Sequence, residues 1–109
     1  SHGKQVRDFL HVADVASAFV ALLLRNVTGA VNIASGTPVT IRTVVETIYA
    51  QIGSPDRAEF GAITPPANDP PRLTADIKRL SSEIGWKPAY GLDTGLADAI
   101  QWWREHPSG

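Results

Sequence analysis

The segment from Val15 to Arg25 constrains this chain more than any other. It spells a helix, and Val15, Ala16, Ala18, Phe19, Val20, Ala21, Leu22, Leu23 and Leu24 cover nearly its whole circumference. A helix apolar all round needs cover on more than one side. The chain has 109 residues, enough for one small domain with a single core. Such a core covers one face of the helix and leaves the other for a neighbour. The segment therefore predicts a partner surface beyond these residues.

The elements around that helix follow from periodicity and punctuation. Gln5 to Val12 carries apolar Val6, Phe9, Leu10 and Val12 and suits a strand, with Asp14 as the N-cap of the helix after it. Asn26 to Gly29 ends that helix, and Ala30 to Ala34 predicts a short buried strand closed by Ser35-Gly36. Thr40 can cap the next helix, whose face is Val44, Val45, Ile48 and Ile52 and whose stop is Gly53. Glu59 to Ile63 predicts another short strand, followed by a stiff loop, Thr64 to Pro71, with four prolines. Asp76 can cap a helix carrying Ile77, Leu80 and Ile84, ended by Gly85 with Trp86 behind it. A last helix runs from Leu92 to Glu105, with Leu96, Ile100 and Trp103 on one stripe. The order predicts one α/β unit, short strands covered by about four helices.

Composition excludes several functions. Ten basic residues against eleven acidic ones leave a net charge of −1, so no broad basic field exists to hold nucleic acid. No apolar run approaches the ~18 residues of a membrane span. The first residues have neither the basic nor the apolar region of a signal peptide, and there is no cysteine, so the expected compartment is the reducing cytoplasm. His2, His11 and His106 lie far apart, which gives no metal-ligand spacing. There is no methionine, so Ser1-His2 reads as a processed start, an expression remnant or an internal cut.

Four segments together resemble a known family. They are Gly3-Lys4-Gln5-Val6-Arg7-Asp8-Phe9-Leu10-His11-Val12-Ala13-Asp14-Val15-Ala16; Gly29-Ala30-Val31-Asn32-Ile33-Ala34-Ser35-Gly36; Ala75-Asp76-Ile77-Lys78-Arg79-Leu80 running into Ile84-Gly85-Trp86-Lys87-Pro88; and Gly95-Leu96 followed by Ile100-Gln101-Trp102-Trp103. In order and spacing they are similar to the C-terminal third of NAD(P)-dependent nucleotide-sugar epimerases and dehydratases, of the extended short-chain dehydrogenase/reductase family. The resemblance implies a substrate-binding C-terminal region, residues 1–109, that works beside an N-terminal Rossmann domain absent from this chain. It implies NAD or NADP on that domain and a nucleoside diphosphate sugar as substrate. It also implies that Arg7 reaches the substrate diphosphate. A guanidinium suits phosphate because it offers forked donors and keeps its charge. The bland alternative is a surface arginine paired with an acid.

Other residues leave two readings open. Gln5 lies two residues before Arg7, on one strand face with it, and either contacts ribose or phosphate or is a solvated edge glutamine. Asn32, in an otherwise apolar strand, either bonds neighbouring backbone or faces substrate. Asp8 and Asp14 read as structural, His11 as a satisfied half-buried histidine, and Trp102-Trp103 as core. Many relatives place a second diphosphate arginine in the loop before Asp76. Prolines stand there in Ile63-Thr64-Pro65-Pro66-Ala67-Asn68-Asp69-Pro70-Pro71-Arg72, and Arg72 either substitutes or is a plain surface arginine.

Two motifs of the chemistry are missing from the sequence. No glycine-rich strand-to-helix turn is present. Tyr49 and Tyr90 are followed four residues on by Gly53 and Thr94, so neither makes the Tyr-x-x-x-Lys pair that moves the proton. The expectation is a catalytically inactive piece of an enzyme. Its uncovered apolar surface is expected to self-associate. The alternative from another class is a stand-alone, non-catalytic α/β binding or interaction module.

Overall fold

The computed structural model describes residues 1–108. Three two-residue strands form one mixed sheet, and four helices surround it: β1 (Val6–Arg7), α1 (Val12–Leu23), β2 (Val39–Thr40), α2 (Ile41–Gln51), β3 (Arg72–Leu73), α3 (Lys78–Ser82) and α4 (Leu92–Glu105), with a 3₁₀ turn at Pro55–Arg57. The α/β class and the helix count agree with the sequence. The sheet order is β2-β1-β3, with β2 antiparallel and β3 parallel to β1. Val6 lies beside Thr40 and Arg72, and Arg7 beside Val39 and Leu73.

Strand extent is where the sequence overreached. Only Val6 and Arg7 pair within the expected Gln5–Val12 strand. Ala30–Ala34 and Glu59–Ile63 form no ladder. The first of these alternates over three residues, with Val31 and Ile33 packed on the core and Asn32 facing out, and loses the alternation at Ala34, which is buried too. A strand needs a partner to complete its backbone bonds, and no neighbouring segment here supplies one.

α1 begins earlier than expected. Its N-cap is His11, whose Nδ1 accepts the Ala13 amide at 3.0 Å. Asp14 is therefore not the cap. It sits inside the first turn, 2% exposed, and accepts the amides of Ala89 (2.8 Å) and Tyr90 (3.0 Å). Thr40 does cap α2, accepting the Thr43 amide at 3.1 Å. Gly53 ends that helix with φ +82. Lys78 N–H donates to Asp76 Oδ1 at 2.8 Å, so Asp76 ties down the first turn of α3. Gly85, with φ +72, lets Trp86 N–H return to the Leu80 carbonyl.

The core is small. Ala18 of α1, Leu80 of α3, Ile84 and Trp86 form one buried cluster, joined by Leu10, Leu22, Val27 and Ile77. The Trp86 indole donates to Ser17 Oγ at 2.9 Å, so its polar edge is satisfied. Trp102 and Trp103 are not core residues: they are 50% and 62% exposed and stack edge-on against each other. They lie in the last turn of α4.

α1 divides into two faces. Asp14 and Ala18 are buried against the core, whereas Val12, Phe19, Val20, Leu23 and Leu24 are 54–85% exposed. The chain exposes 7680 Å² in all, about 1,800 Å² more than a compact monomer of this mass exposes. Its radius of gyration, 16.3 Å, exceeds the about 13 Å of a compact chain this long. Half the wall of α1 is built and the other half is bare.

Candidate substrate-phosphate site

Arg7 and Gln5 lie on the β1 segment and converge on one carboxylate. Arg7 Nη2 donates to Asp69 Oδ1 at 2.7 Å and to the Pro70 carbonyl at 2.9 Å, while Nη1 donates to the Val6 carbonyl at 2.8 Å. Gln5, only 5% exposed, donates through Nε2 to Asp69 Oδ2 at 2.8 Å and accepts from Ser1 Oγ at 3.0 Å. Strand alternation predicts that these two side chains share a face, and their common partner bears it out. Asp69 gave no signal in the sequence beyond being the one acid among four prolines.

Arg7 also lines an open groove of about 520 Å³ with Asp8, Leu10, Phe19, Ile33 and Leu73 among its walls. Asp8 fixes one rim. Its carboxylate accepts the Ser35 amide (2.8 Å), the Ser35 hydroxyl (3.0 Å) and the Gly36 amide (3.0 Å). This is the structural role expected of it. Gly36 has φ +78, and a Cβ there would collide with Ile77 Cδ1, so only glycine fits the turn.

Arg72 and Asn32 lie apart from this pair. Arg72 is in register with Val6 on the adjacent strand, so its side chain leaves the opposite sheet face from Arg7. It is exposed and makes no ion pair among the described residues. Asn32 is exposed rather than buried, and its Nδ2 donates to the Asp76 carbonyl at 3.1 Å.

A second cluster ties three elements together through one imidazole. His11 Nε2 lies 2.8 Å from Asp98 Oδ2, and its ring stacks on Tyr90 with centroids 4.1 Å apart. Nδ1 already accepts the Ala13 amide, so the proton of the neutral ring sits on Nε2 and goes to Asp98. Both nitrogens are used, and no lone pair is left to act as a base. The imidazole joins α1, the Tyr90 turn and α4.

Comparison with known proteins decides the family. Residues 1–99 match the model of the GDP-mannose 4,6 dehydratase family. This chain belongs to that family. It is 32% identical to GDP-L-fucose synthase of Escherichia coli over 95% of its own length and 35% of the relative's. It is 33% identical to UDP-glucose 4-epimerase of Halalkalibacterium halodurans over 98% of its length and 33% of that protein's. The chain thus spans about a third of the curated relatives it matches. A crystal structure of dTDP-glucose 4,6-dehydratase from Bacillus anthracis, in complex with NAD, superposes with a TM-score of 0.84 at 29% identity, covering 97% of this chain and 33% of that one. UDP-glucose 4-epimerase of Thermotoga maritima, at 23% identity and TM-score 0.85, shares the fold.

The resemblance to nucleotide-sugar epimerases and dehydratases is therefore borne out across nearly the whole chain. In this member of the GDP-mannose 4,6 dehydratase family, two helix N-termini are already occupied by the chain's own side chains. The N-terminus of α1 is closed by the His11 imidazole and that of α2 by the Thr40 hydroxyl. Neither opens from the glycine turn that a pyrophosphate needs. Among the described residues, no helix is long and apolar enough to cross a membrane.

Proposed function

We propose that this chain is the nucleotide-sugar-binding third of an NAD(P)-dependent epimerase, dehydratase or reductase. In this reading Arg7 grips the diphosphate of a nucleoside diphosphate sugar, with Gln5 beside it. The remainder of the enzyme carries the Rossmann domain, NAD(P) and the groups that move hydride and proton. The observation that carries the reading is the placement of Arg7. It stands on the central strand, 19% exposed, at the wall of a 520 Å³ groove, inside the stretch matched by the family. An arginine held this far out of solvent on the wall of a groove is a poor surface ornament and a good candidate anion site.

The same reading accounts for the bare face of α1. The surplus of about 1,800 Å² is ample for docking another domain, because a standard interface takes about 800 Å² from each partner. The Rossmann domain is the proposed cover. When alone, the chain is proposed to bury part of that face against a second copy.

The test is Arg7→Ala in the full-length enzyme, titrated by calorimetry with GDP-, UDP- and dTDP-sugars and separately with NAD and NADP. Affinity for the preferred nucleotide sugar is expected to fall at least tenfold, with cofactor affinity within twofold of the parent. Equal loss on both, or no loss of sugar nucleotide, refutes the role of Arg7.

A further inference from the structure

We propose that Asp69 is an internal ligand of the Arg7 site, a latch that an incoming phosphate must displace. The inference rests on the diphosphate role of Arg7 and adds a competitor for it.

The argument begins with donor geometry. A guanidinium grips a phosphate through two adjacent N–H groups aimed the same way. It has two such forks, one formed by Nε with Nη2 and one by Nη1 with Nη2. Both use Nη2. In this structure the two Nη2 hydrogens are taken, one by Asp69 Oδ1 at 2.7 Å and the other by the Pro70 carbonyl at 2.9 Å. Arg7 therefore retains single donors but no free fork. Phosphate can be held bidentately only after the loop carrying Asp69 and Pro70 lets go.

The other oxygen of the carboxylate is also held. Gln5 Nε2 donates to Asp69 Oδ2 at 2.8 Å, so the acid receives one donor on each oxygen, as a phosphate in its place would. The pair is built in the same sense as the site it blocks. Asp69 is 26% exposed and Arg7 19%, so the contact is reachable by solvent and by small anions. The prolines around it supply no amide to replace the arginine. Among residues 65–71 only Ala67, Asn68 and Asp69 carry a backbone N–H. The loop is thus tethered to β1 by the Asp69 carboxylate and the Pro70 carbonyl on Arg7, together with the Val6 N–H bond to the Pro71 carbonyl at 2.9 Å. Asp69 departs while that backbone bond keeps the hinge in place.

The experiment uses the 109-residue chain and inorganic pyrophosphate, read by titration and by amide exchange at Asn68 and at residue 69. Asp69→Asn keeps the shape and removes the charge. It is expected to bind pyrophosphate about tenfold tighter than the parent chain, the factor expected when one charge-assisted bond no longer has to be broken. Adding pyrophosphate to the parent is expected to speed exchange of the Asn68 and Asp69 amides. Arg7→Ala without ligand is expected to speed the same amides, because it removes the tether. Unchanged or weaker binding by Asp69→Asn overturns the latch and leaves Arg7 as an anion site that Asp69 only orients. Failure of both the parent and Asp69→Asn to bind overturns the phosphate reading and the latch with it. In that case faster exchange in Arg7→Ala shows a purely structural tie.

Discussion

Asp14 supplies the sharpest test of the packing described here. Its carboxylate is buried and accepts two backbone amides from the turn that leads into α4. It also lies in the first turn of α1, where the helix dipole favours a negative charge. Asp14→Ala strands the Ala89 and Tyr90 amides in the interior. Each unmade bond costs about 1–3 kcal/mol, so with two of them the variant is expected to lose about 2–6 kcal/mol. That is a large part of the about 5–15 kcal/mol that holds a domain together. Asp14→Asn keeps one acceptor and turns an amide group toward the other N–H; about half the loss is expected. Asp14→Ser separates this role from helix capping. Were Asp14 an N-cap, serine would restore nearly everything and alanine would cost about 1 kcal/mol. A serine side chain cannot reach both amides, so the packing described here predicts that Ser and Ala are similarly damaging. Urea unfolding followed by circular dichroism reads all three variants. Full rescue by serine, or an alanine cost below about 1 kcal/mol, refutes the turn-holding role.

Two further outcomes are expected. Leu23→Glu alters a residue that is 85% exposed, so the chain's own stability should move by no more than about 0.5 kcal/mol while self-association seen by sedimentation falls; a larger stability loss, or unchanged sedimentation, refutes the free face of α1. The second concerns acid. The hydrogen bond from Arg79 holds the Glu83 carboxyl below its ordinary range, and the same bond raises Arg79. The pair's contribution is therefore complete above the ordinary carboxylate value and lost as pH falls through the lowered one. It is small, since both side chains are in solvent. Arg79 also donates to the carbonyls of Thr28 and Ala30, so protection of the amides near that turn, corrected for their intrinsic exchange rates, should fall as pH drops through the lowered Glu83 value in the parent and stay flat in Glu83→Gln.

Periodicity made the helices legible, because a helix completes its own backbone bonds and its pattern needs no distant partner. α2 and α4 fall where Val44, Ile48, Leu96 and Ile100 place them. Thr40 and Gly53 mark the ends of α2 as written. Strands depend on what lies beside them, and the apolar alternation at 30–34 carries no information about a missing neighbour. Asp14 misled because aspartate before an apolar run is a good cap, and nothing local says that the helix has already started at His11. Near β1, the shared face of Gln5 and Arg7 was readable from spacing, whereas only the family resemblance singled out Arg7. Asp69 was not readable, since it reaches them across 62 residues of chain. Arg72 illustrates the limit of proximity in sequence: its place beside Val6 follows from strand register, which no spacing within the loop could reveal.

The groove beside Arg7 has a property that its list of walls hides. Phe19, one of those walls, stands on the outer side of α1, the side with no cover. Whatever comes to rest on α1 therefore also roofs the groove. Assembly and ligand capture share a boundary, so the water expelled by one is partly the water expelled by the other. Under the proposed function, a domain docked on α1 adds to binding even at positions that never touch the ligand, by drying the space around Arg7.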